Sequence, residues 1–203
     1  RMINKKLYNE IPDTDVRKGW WLDANKHSDN LNATQVAQAT KYGCPAYTQM
    51  KYGPYKGVMA QSTNASDIPL MRVEEMYFIE AEAAAQQNPA QGVNLLNDFM
   101  SNHRDPHYKC TKSSKEDVVK EIVFQKRVEL WGEGQSFFDI KRLNLPVTRG
   151  YTGTLHHTIG RFNTTTRPAW MNFCIVRSEG NNNTALVGFE NPDPSDVYSS
   201  WAE

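Results

Sequence analysis

The sequence predicts a mainly α-helical protein in which helical hairpins lie beside irregular loops and short strands. In residues 70–144, apolar side chains recur at the spacing of amphipathic helices. Region 1–69 is instead rich in asparagine, glutamine, proline and aromatic residues, and region 145–203 returns to similar loop chemistry. We expect one domain overall, with both loop-rich regions packed on the helical one.

The first helix is predicted over residues 70–87, where four alanines near its end favour helix formation. Its apolar residues recur at spacings of three, four and seven, and we expect them to form its buried face. They are Leu70, Val73, Met76, Tyr77 and Ala84. Asn88 is a natural N-cap and Pro89 suits a first helical turn, so a second helix is expected over 89–103.

The second helix should bury Val93, Leu96, Phe99 and Met100. A third helix is predicted over 114–132, because Ser113 and Glu116 have the spacing of a capping box. Its expected inner face consists of Val119, Ile122, Val123 and Leu130. A short fourth helix over 136–143 completes two predicted hairpins.

Composition narrows the classes of function. The 23 basic and 23 acidic residues balance, which gives no bulk electrostatic reason to expect nucleic acid or anionic lipid as a partner. Neither a phosphate-binding glycine loop nor a hydrolase nucleophile motif is present, so no cofactor is expected. The three cysteines, Cys44, Cys110 and Cys174, are widely spaced, which favours incidental thiols over a disulfide framework or a zinc site.

Aromatic side chains in the first region are the candidate ligand-binding residues. Flat rings flanked by amides suit sugars, which present apolar C–H faces with hydroxyl rims. The candidates are Trp20, Trp21, Tyr42, Tyr47, Tyr52 and Tyr55. The alternative for each ring is burial in the interior of a loop-rich region.

Three motifs follow one another in the helical region. The first is R-x-x-E-x-Y-x-I-x-A-E-A over residues 72–83, and the second is A-x-G-x-x-L-L-N over 90–97. The third is R-x-E-L-x-G-E-G-x-x-F-x-D-I-x-R over 127–142. Their order and spacing resemble the C-terminal helices of the SusD/RagB family of outer-membrane nutrient-binding lipoproteins.

The resemblance implies a tetratricopeptide-like helical fold that binds an oligosaccharide or peptide and catalyses nothing. It also implies a SusC-like TonB-dependent transporter as partner and a location at the surface of the outer membrane. The chain resembles the C-terminal portion of such proteins, without their signal peptide and lipid anchor. A tetratricopeptide-like scaffold that binds only proteins is the alternative function.

Two further hypotheses concern charged and metal-ligating residues. Glu129 and Glu133 are four residues apart and could be a glycosidase pair, but such pairs usually come from different elements. We expect them to belong to a structural clasp together with Arg127, Asp139 and Arg142. A zinc site at His103, His107 and Cys110 is disfavoured, because Pro106 interrupts the helix that would align the histidines.

Overall fold

The computed structural model describes residues 2–53 and 66–190. The chain divides into two compact units, Arg1–Ser136 and Phe137–Glu203. The first contains five α-helices in its described part and one 3₁₀ helix. They are α1 (Lys5–Glu10), the 3₁₀ helix Val16–Trp20, α2 (Ala33–Lys41), α3 (Val73–Gln87), α4 (Pro89–His103) and α5 (Lys115–Glu129).

The predicted starts of α4 and α5 lie within one residue of the observed ones, because capping residues set them. The Asn88 side chain accepts a hydrogen bond from the Ala90 backbone N–H at 3.1 Å, and Pro89 is the first residue of α4. At the start of α5 the N-cap is Ser114, whose hydroxyl accepts from the Asp117 N–H at 3.1 Å. The capping box expected from Ser113 was therefore misplaced by one residue.

Helices α3, α4 and α5 pack against one another. A single residue, Asn88, separates α3 from α4, so the two form a tight hairpin. Its close approach depends on Gly92, because a Cβ at that position would lie 2.5 Å from the Cβ of Ala85. The core of the three helices consists of apolar side chains that are nearly or fully buried, among them Phe78, Ala81, Ala85, Leu96, Phe99, Met100, Val118 and Ile122.

The expected buried face of α3 was wrong. Leu70 precedes the helix and is 94% exposed, and Val73 is 63% exposed. Met76 and Tyr77 are 44% and 46% exposed, and Ala84 is half-buried. Helix α3 is apolar on two faces, and packing against α4 and α5 buries the other one, which carries Phe78, Ala81 and Ala85.

The second unit consists mostly of loops with short helices. Helix α6 (Gln135–Arg142) begins at its boundary, and α7 (Arg177–Asn182) lies near its end. Three short 3₁₀ helices lie between and after them: Thr158–Gly160, Ala169–Met171 and Thr184–Leu186. The Phe162 and Trp170 rings meet edge to face at 6.0 Å.

The short strands expected in the loop regions are reduced to isolated β-bridges within the described residues. Met2 pairs with Thr48, Trp21 with Gln49, and Thr148 with Asn163.

Across the described ranges, no helix combines the length and the apolar character needed to cross a bilayer.

Packing of the three helices gives a direct test. We expect Leu96→Ala and Ile122→Ala each to lower the free energy of unfolding by roughly 2–5 kcal/mol, because both side chains are almost completely buried. Urea denaturation of each variant measures the loss. A loss below about 1 kcal/mol at both positions would contradict a shared core.

Candidate binding site and its charged support

A buried carboxylate, Glu129, lies at the end of α5 with none of its side chain exposed. Arg104 donates to it from Nε at 2.8 Å and from Nη2 at 3.0 Å. Arg72 donates from Nη1 at 3.1 Å, and Arg17 Nη1 lies 3.6 Å from the same carboxylate. The three arginines come from separate segments, which this one carboxylate holds against the end of α5.

A second carboxylate, Glu133, extends this arrangement. It accepts a hydrogen bond from Lys51 Nζ at 2.5 Å and from Arg72 Nη2 at 2.9 Å. Lys51 also donates to the backbone carbonyls of Glu129 at 2.6 Å and Trp131 at 3.2 Å. The ammonium group therefore satisfies carbonyls that the end of a helix leaves without partners.

Arg17 anchors the 3₁₀ helix in the interior. Its Nη2 lies 2.6 Å from the Asp15 carboxylate, and its Nη1 donates to the Gln125 carbonyl at 3.1 Å. Its Nη2 also donates to the Gln125 side-chain oxygen. Both side chains of the Asp15–Arg17 pair are essentially buried, so the surrounding hydrogen bonds are needed to offset the loss of water.

Electrostatics keep both glutamates ionised. Burial alone raises the pKa of Glu129, but the hydrogen bonds and charge of Arg104, followed by Arg17 and Arg72, bring its pKa below the ordinary value. For Glu133, burial is likewise outweighed by Arg72 and Lys51, and its pKa is lowered. Burial in turn lowers the pKa of Lys51, and Glu133 opposes that effect only in part.

The catalytic interpretation of Glu129 and Glu133 fails on this geometry. A glycosidase acid needs access to substrate and a raised pKa, whereas both carboxylates are buried, paired with cations and lowered in pKa. They take part in a charged cluster, as expected, and it also contains cations that were not predicted, namely Arg17, Lys51, Arg72 and Arg104. Asp139 and Arg142, which were expected in the same clasp, pair with each other at 2.8 Å within one turn of α6.

Two of the six candidate aromatic residues meet at Lys51. Its Nζ lies 4.9 Å from the centre of the Trp20 ring and 5.4 Å from that of Tyr52. The Tyr52 hydroxyl donates to the Trp131 carbonyl at 2.8 Å, and burial, followed by the charge of Glu133, raises its pKa to about 12. Gly132 has φ +82°, and a Cβ there would lie 2.8 Å from the Tyr52 ring, so glycine makes room for it.

The other candidates differ in accessibility. Trp21 is 0% exposed and meets Trp131 edge to face, and its indole nitrogen has no hydrogen-bond partner in the described part of the chain. Tyr47 is 9% exposed and packs edge to face on Tyr8. Tyr42 is largely exposed, with Lys41 over its ring. Tyr55 lies outside the described residues, and ligand binding by all six remains a prediction.

Sequence reasoning missed Lys51, which organises the Trp20–Tyr52 pair. Its only sequence signal is a basic residue directly before a candidate tyrosine. Over residues 2–53 and 66–190, no group of three histidine, cysteine or acidic side chains is arranged to hold a metal ion.

Replacing Glu129 tests the charged support. Glu129→Gln should lower the free energy of unfolding at neutral pH by about 3–5 kcal/mol, because it leaves buried guanidinium groups without their counter-charge. The matched control is Glu80→Gln on the exposed surface of α3, where we expect a change within about 0.5 kcal/mol. Equal urea midpoints for the two variants would contradict the assigned role.

The stability of the folded protein should also decrease as the pH becomes acidic. Because the folded-state pKa of Glu133 lies below its ordinary value of 4.5, its contribution is complete above that pH and is lost as the pH falls through the lowered value. Thermal unfolding between neutral pH and about pH 3 should therefore show a steeper loss for the wild type than for Glu133→Gln. Parallel curves would exclude Glu133 as a source of acid sensitivity.

Comparison with known proteins agrees with this architecture. No curated protein matches the chain. A crystal structure of a SusD-like carbohydrate binding protein from Bacteroides vulgatus ATCC 8482 is similar, with 23% sequence identity and a TM-score of 0.62. The match covers 98% of this chain and 43% of the solved chain, so this chain spans less than half the length of that protein. The model of the SusD family matches residues 20–187, well over half of the sequence, and the protein therefore belongs to the SusD family.

Proposed function

We propose that the protein binds oligosaccharide without catalysis at the surface of the outer membrane, for delivery to a TonB-dependent transporter. Membership of the SusD family supports this proposal. The similar solved structure is a SusD-like carbohydrate binding protein, which favours a saccharide over a peptide as the ligand.

The observation that carries the proposal is the arrangement of Trp20 and Tyr52 around Lys51. Both rings are partly exposed, and the shared ammonium group fixes them relative to each other. Such rings offer flat apolar surface for the C–H face of a sugar. Preorganised rings lose little conformational freedom when a ligand binds, which favours affinity.

The rings also depend on the charged support. Lys51 holds its position through Glu133 and the carbonyls at the end of α5, so the rings rest on the helical core. Binding residues on loops that a rigid scaffold positions are common in proteins. The proposed saccharide site thus combines an irregular segment with a helical support.

Calorimetry with a panel of oligosaccharides and peptides tests this function. We expect Trp20→Ala to weaken binding of the recognised oligosaccharide by about tenfold or more, since it removes a stacking surface. Tyr52→Phe keeps the ring and should weaken binding much less. The control is Trp170→Ala, which removes an exposed tryptophan of the second unit and should leave affinity unchanged.

Three outcomes would overturn parts of the proposal. Binding of peptides alone would replace the saccharide by a peptide ligand. Equal affinities of the wild type and Trp20→Ala for a bound oligosaccharide would remove the ring pair from the site. Release of shortened products from any oligosaccharide would show catalysis and contradict a purely binding role.

A further inference from the structure

A cleft of about 510 Å³ in the first unit shares no lining residue with the Trp20–Tyr52 ring pair. Its volume lies within the range of about 300–1,000 Å³ that is typical of small-molecule sites. Three separate segments form its walls, namely the chain from the end of α1 to the 3₁₀ helix, the loop after α4, and the middle of α5. The side chains that matter for its chemistry are Glu10, Asp105, Tyr108, Lys109, Glu121 and Phe124.

The carboxylate of Glu121 is held in place by two neutral donors. The Tyr108 hydroxyl and the Gln125 side-chain Nε2 both donate to its Oε1, each at 2.8 Å. Gln125 is buried, and its side-chain oxygen accepts in turn from Arg17, so the carboxylate is oriented from the interior. Among the described residues, Oε2 accepts no hydrogen bond and no cationic side chain pairs with Glu121. An oriented carboxylate with one unused oxygen therefore lines the cleft.

The cleft carries more negative than positive charge. Glu10 and Asp105 line it together with Glu121, and the one lysine or arginine among its lining residues is Lys109. Within the described ranges, neither Lys109 nor these three carboxylates take part in an ion pair. Three carboxylates thus oppose one ammonium group, and a cleft with this balance attracts a cationic ligand.

Two aromatic rings add apolar surface beside this charge. Tyr108 and Phe124 are half-buried and line the cleft. In the part of the chain that the structure describes, neither ring stacks on another ring or has a cation over its face. The face of an aromatic ring attracts cations and also suits the C–H face of a sugar. Burial, followed by the charge of Glu121, raises the pKa of Tyr108, so its hydroxyl stays protonated and continues to donate to Glu121.

We propose that this cleft is a second ligand site, which binds an amino sugar with its ammonium group on Glu121 and its ring against Tyr108 and Phe124. The unused Oε2 of Glu121 accepts a charge-assisted hydrogen bond from the ammonium group. A lysine side chain carries the same group but has no sugar ring to place against the aromatic residues, which favours the sugar. The proposal does not rest on the saccharide site at Trp20 and Tyr52, because neither residue lines the cleft.

Calorimetry with a matched pair of sugars provides the test. The trimer of glucosamine carries amines, and the trimer of N-acetylglucosamine carries neutral amides on the same scaffold. At about pH 6, where the amines are protonated, we expect the intact chain to bind the glucosamine trimer about tenfold or more tightly than the acetylated one. Nα-acetyl-lysine amide, which has the ammonium group without a sugar ring, should bind about tenfold or more weakly than the glucosamine trimer.

Two substitutions in the cleft should change affinity in opposite directions. Glu121→Gln keeps an acceptor for Tyr108 and Gln125 but removes the charge, and it should abolish the preference for the glucosamine trimer. Lys109→Gln removes an opposing charge and should strengthen binding of that trimer by about twofold or more. The control is Glu116→Gln, which changes the net charge equally at an exposed position of α5 outside the cleft and should leave both affinities unchanged. Melting temperatures show whether each variant remains folded.

Each contrary result would overturn the proposal. Equal binding of the two trimers, or no binding of either, would show that the cleft does not recognise an ammonium group. A preference that survives Glu121→Gln but is lost in Trp20→Ala would assign the amino sugar to the ring pair instead. Tighter binding of the lysine derivative than of the glucosamine trimer would make a lysine side chain the ligand. If Glu121→Gln did not fold, an unchanged or weaker affinity in Lys109→Gln would still contradict the assigned site.

Discussion

The first unit of this protein depends on one buried carboxylate, that of Glu129. It lies at the C-terminal end of α5, where the helix dipole makes a negative charge unfavourable. Arg17, Arg72 and Arg104 supply the opposing charge and hydrogen bonds, so the carboxylate is stable only while all of their segments are in place. The buried charge of Glu129 therefore favours one arrangement of these chain segments. Packing of the apolar core alone would define that arrangement less precisely.

The same cations complete the end of the helix. Arg72 Nη2 donates to the Glu129 carbonyl at 2.9 Å, and Lys51 donates to that carbonyl and to Trp131. Side chains far away in sequence thus satisfy backbone groups that would otherwise face the protein interior unpaired. Because Arg72 directly precedes α3, the start of one helix is fixed to the end of another through these hydrogen bonds.

The sequence was sufficient to predict where the helices lie, but not which side chains and charged groups pack against them. Asn88, Pro89 and Ser114 lie beside the segments whose limits they set, so local chemistry predicted α4 and α5 to within a few residues. The buried side of α3 was mistaken because two apolar faces satisfy the same periodicity, and only packing distinguishes them. The charged network was predicted only in part for a similar reason. Glu133 has its partners at Lys51 and Arg72, which no local spacing connects to it.

Helix α3 and the Trp20–Tyr52 ring pair share one point of attachment. Arg72 directly precedes α3, and it binds the same Glu133 carboxylate that holds Lys51 beside the two rings. The path from the helix to the rings therefore consists of covalent bonds and short charge-assisted hydrogen bonds, which are the more rigid kind. The charged network thus sets the position of the ring pair relative to α3.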